Sequence, residues 1–339
     1  MKRWFFLLSV FAACLLCGCT AKPQEAQIFA MDTVIDIAVY GSGAQNTLRA
    51  VREEISRLDS TLSRHDSASA VSALNRSAGS PAAVDGELYA LLQTAVGYTA
   101  DTDGCFDISV APVMDAWDFT GDAPRVPSRE ELDALTARVG SERIRFDGGT
   151  VTLPEGMAVD LGGIAKGYAS DRIAALLTER GVTSARVSLG GNVYVHGTKP
   201  DGTPWRVGVE DPNDPGAFLG VVLLADRFAI TSGGYQRYFE QDGVTYYHIL
   251  DPKTGNVARS GLTSVTILCG SGTMGDAFST ALFVMGLDKA VDFWKTYPVD
   301  FDMILADDSG HVYVTEGLRD SFDTSLAEHA YEYIYLTKD

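Results

Sequence analysis

Between residues 185 and 268 the chain reads as eight short strands in close succession, and no other feature limits its fold as strongly. Apolar and β-branched runs at 185–189, 192–196, 205–209, 219–224, 228–231, 235–239, 246–249 and 264–268 are separated by turn signals at short intervals. That rhythm specifies antiparallel sheet. Helical spacing precedes it. Leu48, Val51, Ile55, Leu58 and Leu62 mark one face over 47–62, a short helix follows at 69–78, and Asp85 opens a third with Leu88, Leu91, Leu92 and Val96 inward. Ser128 and Glu131 have the spacing of a capping box for a helix to about residue 139. Hairpins are expected at 27–40, around Met31-Asp32-Thr33, and at 143–153, turning at Gly148-Gly149. Helices at 275–286 and 289–297, strands at 302–306 and 311–315, and an acidic, aromatic tail extending the sheet complete the pattern. The class is α+β, or mixed α/β, with strands and helices partly segregated.

One stretch in this frame carries chemistry at a junction. Residues 159–172 read Val-Asp-Leu-Gly-Gly-Ile-Ala-Lys-Gly-Tyr-Ala-Ser-Asp-Arg. A strand-like run ends at Asp160, and Gly162-Gly163 turn the chain into a helix running to Arg180. Glycines at such a junction allow close approach of a ligand, and the helix start presents unpaired N–H groups and a positive dipole end. Lys166 sits in the first turn, where a cation opposes the dipole and a bound phosphate would compensate it. Asp160 is placed to accept hydrogen bonds from a base or a ribose. Taken alone, the stretch is read equally well as an ordinary strand–helix turn with a surface lysine. It lacks the GxxxxGK[ST] spacing of a P-loop.

A second stretch, 272–281, reads Gly-Thr-Met-Gly-Asp-Ala-Phe-Ser-Thr-Ala. On a helix Asp276 and Thr280 lie at i and i+4 on one face, and a carboxylate with a hydroxyl suits a hard cation such as Mg²⁺. The competing reading is a capping aspartate and a threonine that bonds back to its own helix. Two further stretches are Thr231-Ser232-Gly233-Gly234-Tyr235 and His248-Ile249-Leu250-Asp251-Pro252-Lys253-Thr254-Gly255, the latter a strand ending in a tight turn. His248 is either a satisfied core histidine or a general base that steers a hydroxyl nucleophile.

The N-terminus reads as a leader. Lys2 and Arg3 precede an apolar segment, 4–17, too short for a stable membrane anchor, and it closes on Leu16-Cys17-Gly18-Cys19. This resembles a bacterial lipoprotein signal over 1–18. It implies that Cys19 is acylated, with a fatty acid such as palmitate, and that 19–27 is a polar tether. The chain would then be lipid-anchored to a membrane of the cell envelope, facing the periplasm or the exterior. Residues 28–335 are expected to form one domain, with two intimately packed α+β halves as the alternative. Cys105 and Cys269, far apart, are no disulfide framework, and no CxxC pair or His/Cys cluster suggests zinc. The formal net charge of −18, with acidic residues scattered, argues against nucleic acid as a partner. An anionic ligand must therefore be held by local backbone donors, a few placed cations or a metal.

Taken together, the motifs resemble one family. They are Met31-Asp32-Thr33; Leu58-Asp59 to Leu62-Ser63, with 69–75; Gly104-x-Phe106-Asp107-Ile108; Asp160-Leu-Gly-Gly-Ile-Ala-Lys166-Gly-Tyr; Leu189-Gly-Gly-Asn192; Thr231-Ser-Gly; His248-Ile-Leu-Asp-Pro-x-Thr-Gly255; and Asp276-Ala-x-x-Thr280-Ala. In that order, and covering nearly all of the chain after the leader, they resemble the ApbE family, the FAD:protein FMN transferases. The resemblance implies a T-fold-like arrangement of antiparallel sheets with packed helices. It also implies an enzyme that binds FAD with Mg²⁺, cleaves the pyrophosphate, attaches FMN through a phosphoester to a Thr or Ser of a target protein, and releases AMP. Asp276, Thr280 and the backbone carbonyl near Gly163 would hold the metal, with Ser279 a lesser candidate. Lys166 and Asp160 would contact FAD. Met31, Cys105, Phe106, Asp107 and Leu250 would line the nucleotide site, and His248 would assist deprotonation of the acceptor hydroxyl.

One departure concerns His65, which stands where many relatives carry an aromatic, typically tyrosine, able to stack on the flavin. It bears on flavin affinity and on the balance between transfer and hydrolysis. The acceptor implied is another protein with a Ser/Thr-Gly-Ala-Ser/Thr-type segment, such as a redox-pump subunit or an extracellular flavoprotein. Two other readings are an FAD pyrophosphatase that yields FMN and AMP, and a flavin-binding lipoprotein without turnover.

Overall fold

A computed structural model describes residues 22–339; the leader and Cys19 lie outside the described residues. Strand β1 (Gln24–Ala30) pairs antiparallel with β2 (Thr33–Val39), from Gln24↔Val39 to Ala30↔Thr33. Part of the stretch expected as a polar tether, 19–27, is thus strand. Residues 24–27 are strand, because their backbone groups pair with β2 and Ala26 packs into the core. Met31 and Asp32 both have positive φ, 52° and 56°, the left-handed pair that a tight two-residue hairpin requires.

The helices expected from periodicity form, with caps that the sequence announced. They are α1 (Ala44–Leu62), α2 (Ala70–Arg76), α3 (Gly86–Asp101) and α5 (Arg129–Thr136), while α4 (Ala111–Trp117) forms where no helix was expected. The side chains of Ser69, Asp85 and Ser128 accept hydrogen bonds from the N–H groups of Ser72, Leu88 and Glu131. A small sheet joins β3 (Ala82–Ala83), β4 (Arg145–Asp147) and β5 (Thr150–Thr152). Then α6 runs over Ala165–Glu179. The run before it is no strand, contrary to expectation. Met157 and Val159 are buried, but the Asn75 side chain binds both backbone groups of Val159, and the Asp160 N–H donates to the Ile108 carbonyl. A side chain there replaces the partner strand.

The strand-rich half contains β6 (Ser184–Leu189), β7 (Asn192–Gly197), β8 (Trp205–Glu210), β9 (Phe218–Leu224), β10 (Arg227–Gly233), β11 (Tyr238–Gln241), β12 (Val244–Tyr247) and β13 (Leu262–Cys269). Helices α7 (Gly272–Met285) and α8 (Leu287–Thr296) follow, then β14 (Asp302–Asp307), β15 (His311–Thr315), β16 (Phe322–Asp323) and β17 (Glu332–Leu336). The fold is α+β. Its main sheet has nine strands in the order β1-β2-β6-β7-β10-β13-β14-β15-β17, antiparallel except for β15 with β17. The eight strands of 185–268 thus do not share one sheet. β8 and β9 join β16 in a separate three-stranded sheet, and β11 with β12 is an isolated hairpin.

Burial on both faces explains the split. Along β14, Met303 and Leu305 belong to the core under the helices, while Ile304 and Ala306 belong to a second core built with Trp205, Val207, Leu219 and Val222 of β8 and β9. An alternating pattern that is apolar on both faces needs a layer on each side. Helices α1, α6 and α7 supply one layer, and the β8–β9–β16 sheet supplies the other. A satellite core of Val113, Trp117, Leu132, Leu250 and Val257 seats α4 and α5 against the turn after β12. Among the described residues no helix is long and apolar enough to cross a membrane.

Candidate active site

The N-terminal turns of α6 and α7 meet backbone to backbone. A Cβ added to Gly167 would lie 2.6 Å from the Asp276 Cβ and nearer still to the Gly272 carbonyl oxygen; one added to Gly272 would lie 2.5 Å from the Gly167 carbonyl oxygen. Only glycine fits at either place. The Gly167 N–H, one of the donors that a helix start leaves unpaired, donates to Asp276 Oδ2 at 2.8 Å. Asp276 therefore caps a helix, though the helix is α6 and not its own. Helix α7 begins at Gly272, three residues earlier than the sequence suggested, with Ser271 at its N-cap.

The other oxygen of this buried carboxylate, Oδ1, accepts no hydrogen bond among the described residues and lies 3.9 Å from Lys166 Nζ. Lys166 also donates to the Gly162 carbonyl at 3.3 Å. The first-turn lysine is thus compensated by an aspartate that the sequence places 109 residues from Gly167. Thr280 stands on the next turn of α7, its Oγ1 3.4 Å from Ser232 Oγ and 3.4 Å from the Asp276 carbonyl. A Cβ on Gly163 would lie 3.9 Å from Thr280 Oγ1 and 3.2 Å from the Phe106 ring, so the glycine keeps this approach open. Gly163, Asp276 and Thr280 therefore share one corner. Ser279 is fully buried, and its hydroxyl bonds to Ser232 Oγ at 2.8 Å and to the Asp276 carbonyl at 3.0 Å.

These donors fit a Mg²⁺ ion. They are all oxygens, and one is an unengaged carboxylate oxygen. They are also few, which suits an ion that completes its shell with waters and substrate phosphates. Among the described residues no group of three or more His, Cys, Asp and Glu could form a closed protein cage.

Asp160 is held from two sides. Its Oδ1 accepts from the Gly162 N–H at 2.7 Å, and Oδ2 lies 2.7 Å from Arg64 Nε. Arg64 reaches Asp115 through Nη1 at 2.5 Å, tying the loop after α1 to α4. Met31 lies on the β1–β2 turn, where its N–H donates to Asp59 Oδ1 at 3.0 Å. His65 is exposed on the loop between α1 and α2.

Two expected lining residues have their side chains engaged within the fold. Both oxygens of Asp107 are engaged, Oδ1 by the N–H and hydroxyl of Ser109 and Oδ2 by the Ser141 N–H. Leu250 packs into the satellite core. Phe106 is buried against Gly163, and Cys105 is half-buried with its thiol pKa raised by that burial. Among the described residues Cys105 and Cys269 are both free thiols. A cleft of about 350 Å³ adjoins this stretch, lined by Gly104, Asp107, Gly140, Pro252 and Lys253. A larger surface groove of about 490 Å³ lies between Glu54, Arg57, Glu87, Tyr168 and Arg172. Its charged groups are already paired with one another, and Tyr168 and Arg172 turn about 100° around α6 from Gly167 and Asp171.

His248 follows β12, with its N–H bonded to the Arg237 carbonyl at 3.1 Å. Nδ1 is buried without a partner among the described residues, which leaves Nε2 as the nitrogen that meets solvent. Burial pushes the imidazole pKa down to about 4; Arg237 and Lys166 act in the same direction, and Asp160 partly opposes them. The ring is therefore neutral at physiological pH, the form a general base needs.

Arg64, Asp171, Ser232 and Arg237 complete the surroundings, and sequence reasoning assigned none of them a role. Ser232 fell in a stretch already singled out. Asp171 has a detectable signal, since Gly167-x-x-x-Asp171 and Gly272-x-x-x-Asp276 share one spacing. For Arg64 and Arg237 no local pattern marks them out.

Comparison with known proteins bears on the fold and the family. The model of the ApbE family matches residues 31–305. The FAD:protein FMN transferase of Treponema pallidum is 34% identical over 314 residues, covering 84% of this chain and 87% of the relative. That of Vibrio cholerae is 31% identical over 322 residues, covering 91% and 96%. The crystal structure of the ApbE protein of Thermotoga maritima superposes with a TM-score of 0.82 at 35% identity, over 87% of this chain and 98% of that one.

Proposed function

The chain belongs to the ApbE family and is an FAD:protein FMN transferase, and from that premise we propose that its transfer step is Mg²⁺-dependent and centred on Asp276, Thr280, Lys166 and His248. The observation that carries this is the single unengaged oxygen of buried Asp276, set beside Lys166 and Thr280 at the start of α6. A divalent cation bound to Asp276 Oδ1, Thr280 Oγ1 and the Gly163 carbonyl would neutralise and orient the pyrophosphate. Lys166 adds a second positive charge, and Asp160, held by Arg64, binds the nucleotide. His248 takes the proton of an acceptor Ser or Thr hydroxyl at Nε2. The hydroxyl oxygen bonds to the FMN phosphorus, the P–O bond to the AMP phosphate breaks, and AMP leaves. Positioning and charge neutralisation dominate such transfers.

Incubation with FAD, Mg²⁺ and an acceptor carrying a Ser/Thr-Gly-Ala-Ser/Thr segment tests the reading. A fluorescent acceptor band with stoichiometric AMP, abolished by EDTA, is expected. AMP with free FMN and an unlabelled acceptor would instead establish a pyrophosphatase.

The role of His248 makes a pH prediction. The free enzyme should hold kcat/KM as pH falls through 6.5 and lose it near pH 4, where the buried imidazole protonates. The linked effect on folding has the same sign. The unfolded chain binds this proton at the ordinary value of 6.5 and the folded chain only near 4, so this contribution to stability is complete above pH 6.5 and lost between 6.5 and 4. His248→Gln should flatten that loss and reduce transfer more than FAD affinity. An acid limb at pH 6.5 would exclude the buried imidazole as the base.

Lipid anchoring through Cys19 is part of the same proposal, supported by the Leu16-Cys17-Gly18-Cys19 segment that ends the apolar leader. It places the site in the cell envelope, with a redox-pump subunit or an extracellular flavoprotein as acceptor. Cys19→Ser should move the protein from the membrane to the soluble fraction and remove the acyl mass from its N-terminal peptide. Unchanged fractionation would refute the anchor.

A further inference from the structure

Helices α6 and α7 are clasped by a reciprocal pair of Gly-x-x-x-Asp segments. The Gly167 N–H of α6 donates to Asp276 of α7 at 2.8 Å, and the Gly272 N–H of α7 donates to Asp171 of α6 at 2.6 Å. Each glycine also leaves room for the other's carbonyl oxygen, which a Cβ would strike. The arrangement is a local twofold: each helix start is capped by the carboxylate one turn into its partner. Two positive dipole ends face each other there, and the two aspartates compensate both.

The halves differ in what remains free. Asp171 is saturated. Its Oδ2 accepts from the Thr273 N–H at 2.8 Å, the Thr273 hydroxyl at 2.6 Å and the Ser271 hydroxyl at 3.2 Å, while Oδ1 takes Gly272. Asp276 gives one oxygen to the clasp and keeps Oδ1 unengaged beside Lys166.

We infer that Asp171 is a positioning residue for the metal centre, fixing the register of α7 against α6 so that Asp276 Oδ1 and Thr280 face the substrate phosphates. This rests on the Mg²⁺ reading above. Four hydrogen bonds to one carboxylate hold the first turn of α7, and Asp276 lies one turn further along the same rigid helix. Without them the α7 start loses its anion and can slide, and the Asp276–Gly167 bond goes with it. Partners that orient a metal ligand commonly change metal affinity by about 10–100-fold when removed.

The test uses Mn²⁺ as probe, followed by electron paramagnetic resonance in the presence of ADP, which carries a pyrophosphate but no flavin to transfer. Wild type, Asp276→Ala, Asp171→Asn and Thr273→Val are compared, with FAD affinity in EDTA and thermal melting measured on each. Asp171→Asn should weaken Mn²⁺ binding by about 10–100-fold and change metal-free FAD affinity by about twofold at most. Thr273→Val removes a single donor to Asp171 and should weaken Mn²⁺ by a few-fold while melting cooperatively. It decides the matter if Asp171→Asn does not fold. Loss of Mn²⁺ in Asp276→Ala, with wild-type affinity in the Asp171 or Thr273 variant, overturns the positioning role alone. Wild-type Mn²⁺ affinity in Asp276→Ala overturns the metal reading itself, and this inference with it.

Discussion

Replacing Asp276 by asparagine should lower Mg²⁺-dependent FMN transfer by about 1,000-fold or more while leaving the fold in place. The two oxygens of this carboxylate have separate tasks. Oδ2 accepts the Gly167 N–H, and an asparagine oxygen can do the same. Oδ1 provides the unengaged negative charge next to Lys166, and an amide nitrogen there neither binds a cation nor balances the lysine. Asp276→Ala removes both. It leaves the Gly167 N–H buried without a partner, at a cost of about 1–3 kcal/mol in stability beyond the loss of activity. The two variants should therefore share the catalytic defect and differ in thermal melting. Transfer assayed against Mg²⁺ concentration, with melting by circular dichroism, checks both points. Near-wild-type transfer by Asp276→Asn would remove this residue from the mechanism.

The largest effect on stability is expected from Gly167→Ala. In an exposed helix interior this change stabilises by about 1 kcal/mol, since glycine is a poor helix former. Here the added methyl meets the Gly272 carbonyl oxygen and the Asp276 Cβ, one of them backbone and neither able to swing aside. The helices must separate, and overpacking of this kind costs about 3 kcal/mol, which outweighs the propensity gain. Separation also breaks the bond from the Gly167 N–H to Asp276, so activity should fall with stability. Gly97→Ala provides the control. Gly97 lies within α3 with nothing near its Cβ position, and the same change there should be neutral or stabilising. Chemical denaturation midpoints of the two variants compare them directly. Equal midpoints would show that the α6–α7 crossing is looser than its geometry.

Much of the secondary structure was legible because its signals are local. The face of α1, the caps at Ser69, Asp85 and Ser128 and the turn at Met31-Asp32 each depend on residues within a few positions of one another. Where a distant partner intervenes, the local signal misleads. Residues 157–160 have the apolar character of a strand, yet the backbone groups of Val159 are bonded by Asn75, on a helix 84 positions earlier. The strand rhythm of 185–268 likewise does not say which strands share a sheet, because a run buried on both faces reads the same whether a helix or a second sheet covers it.

The site divides along the same line. Local patterning was enough to place Lys166 in the first turn of a helix against its dipole, Asp276 and Thr280 on one helix face, and His248 at the end of a strand before a tight turn. Tertiary structure alone decided that Asp276 caps α6 across 109 positions, that Asp171 returns the same cap to α7, and that Arg64 grips Asp160. It also engaged both Asp107 oxygens with Ser109 and Ser141 and packed Leu250 into the satellite core. The physical reason is range. Periodicity, caps and turns are settled by groups a few bonds apart, whereas an unengaged carboxylate oxygen exists only once distant helices have packed and every other donor has been assigned.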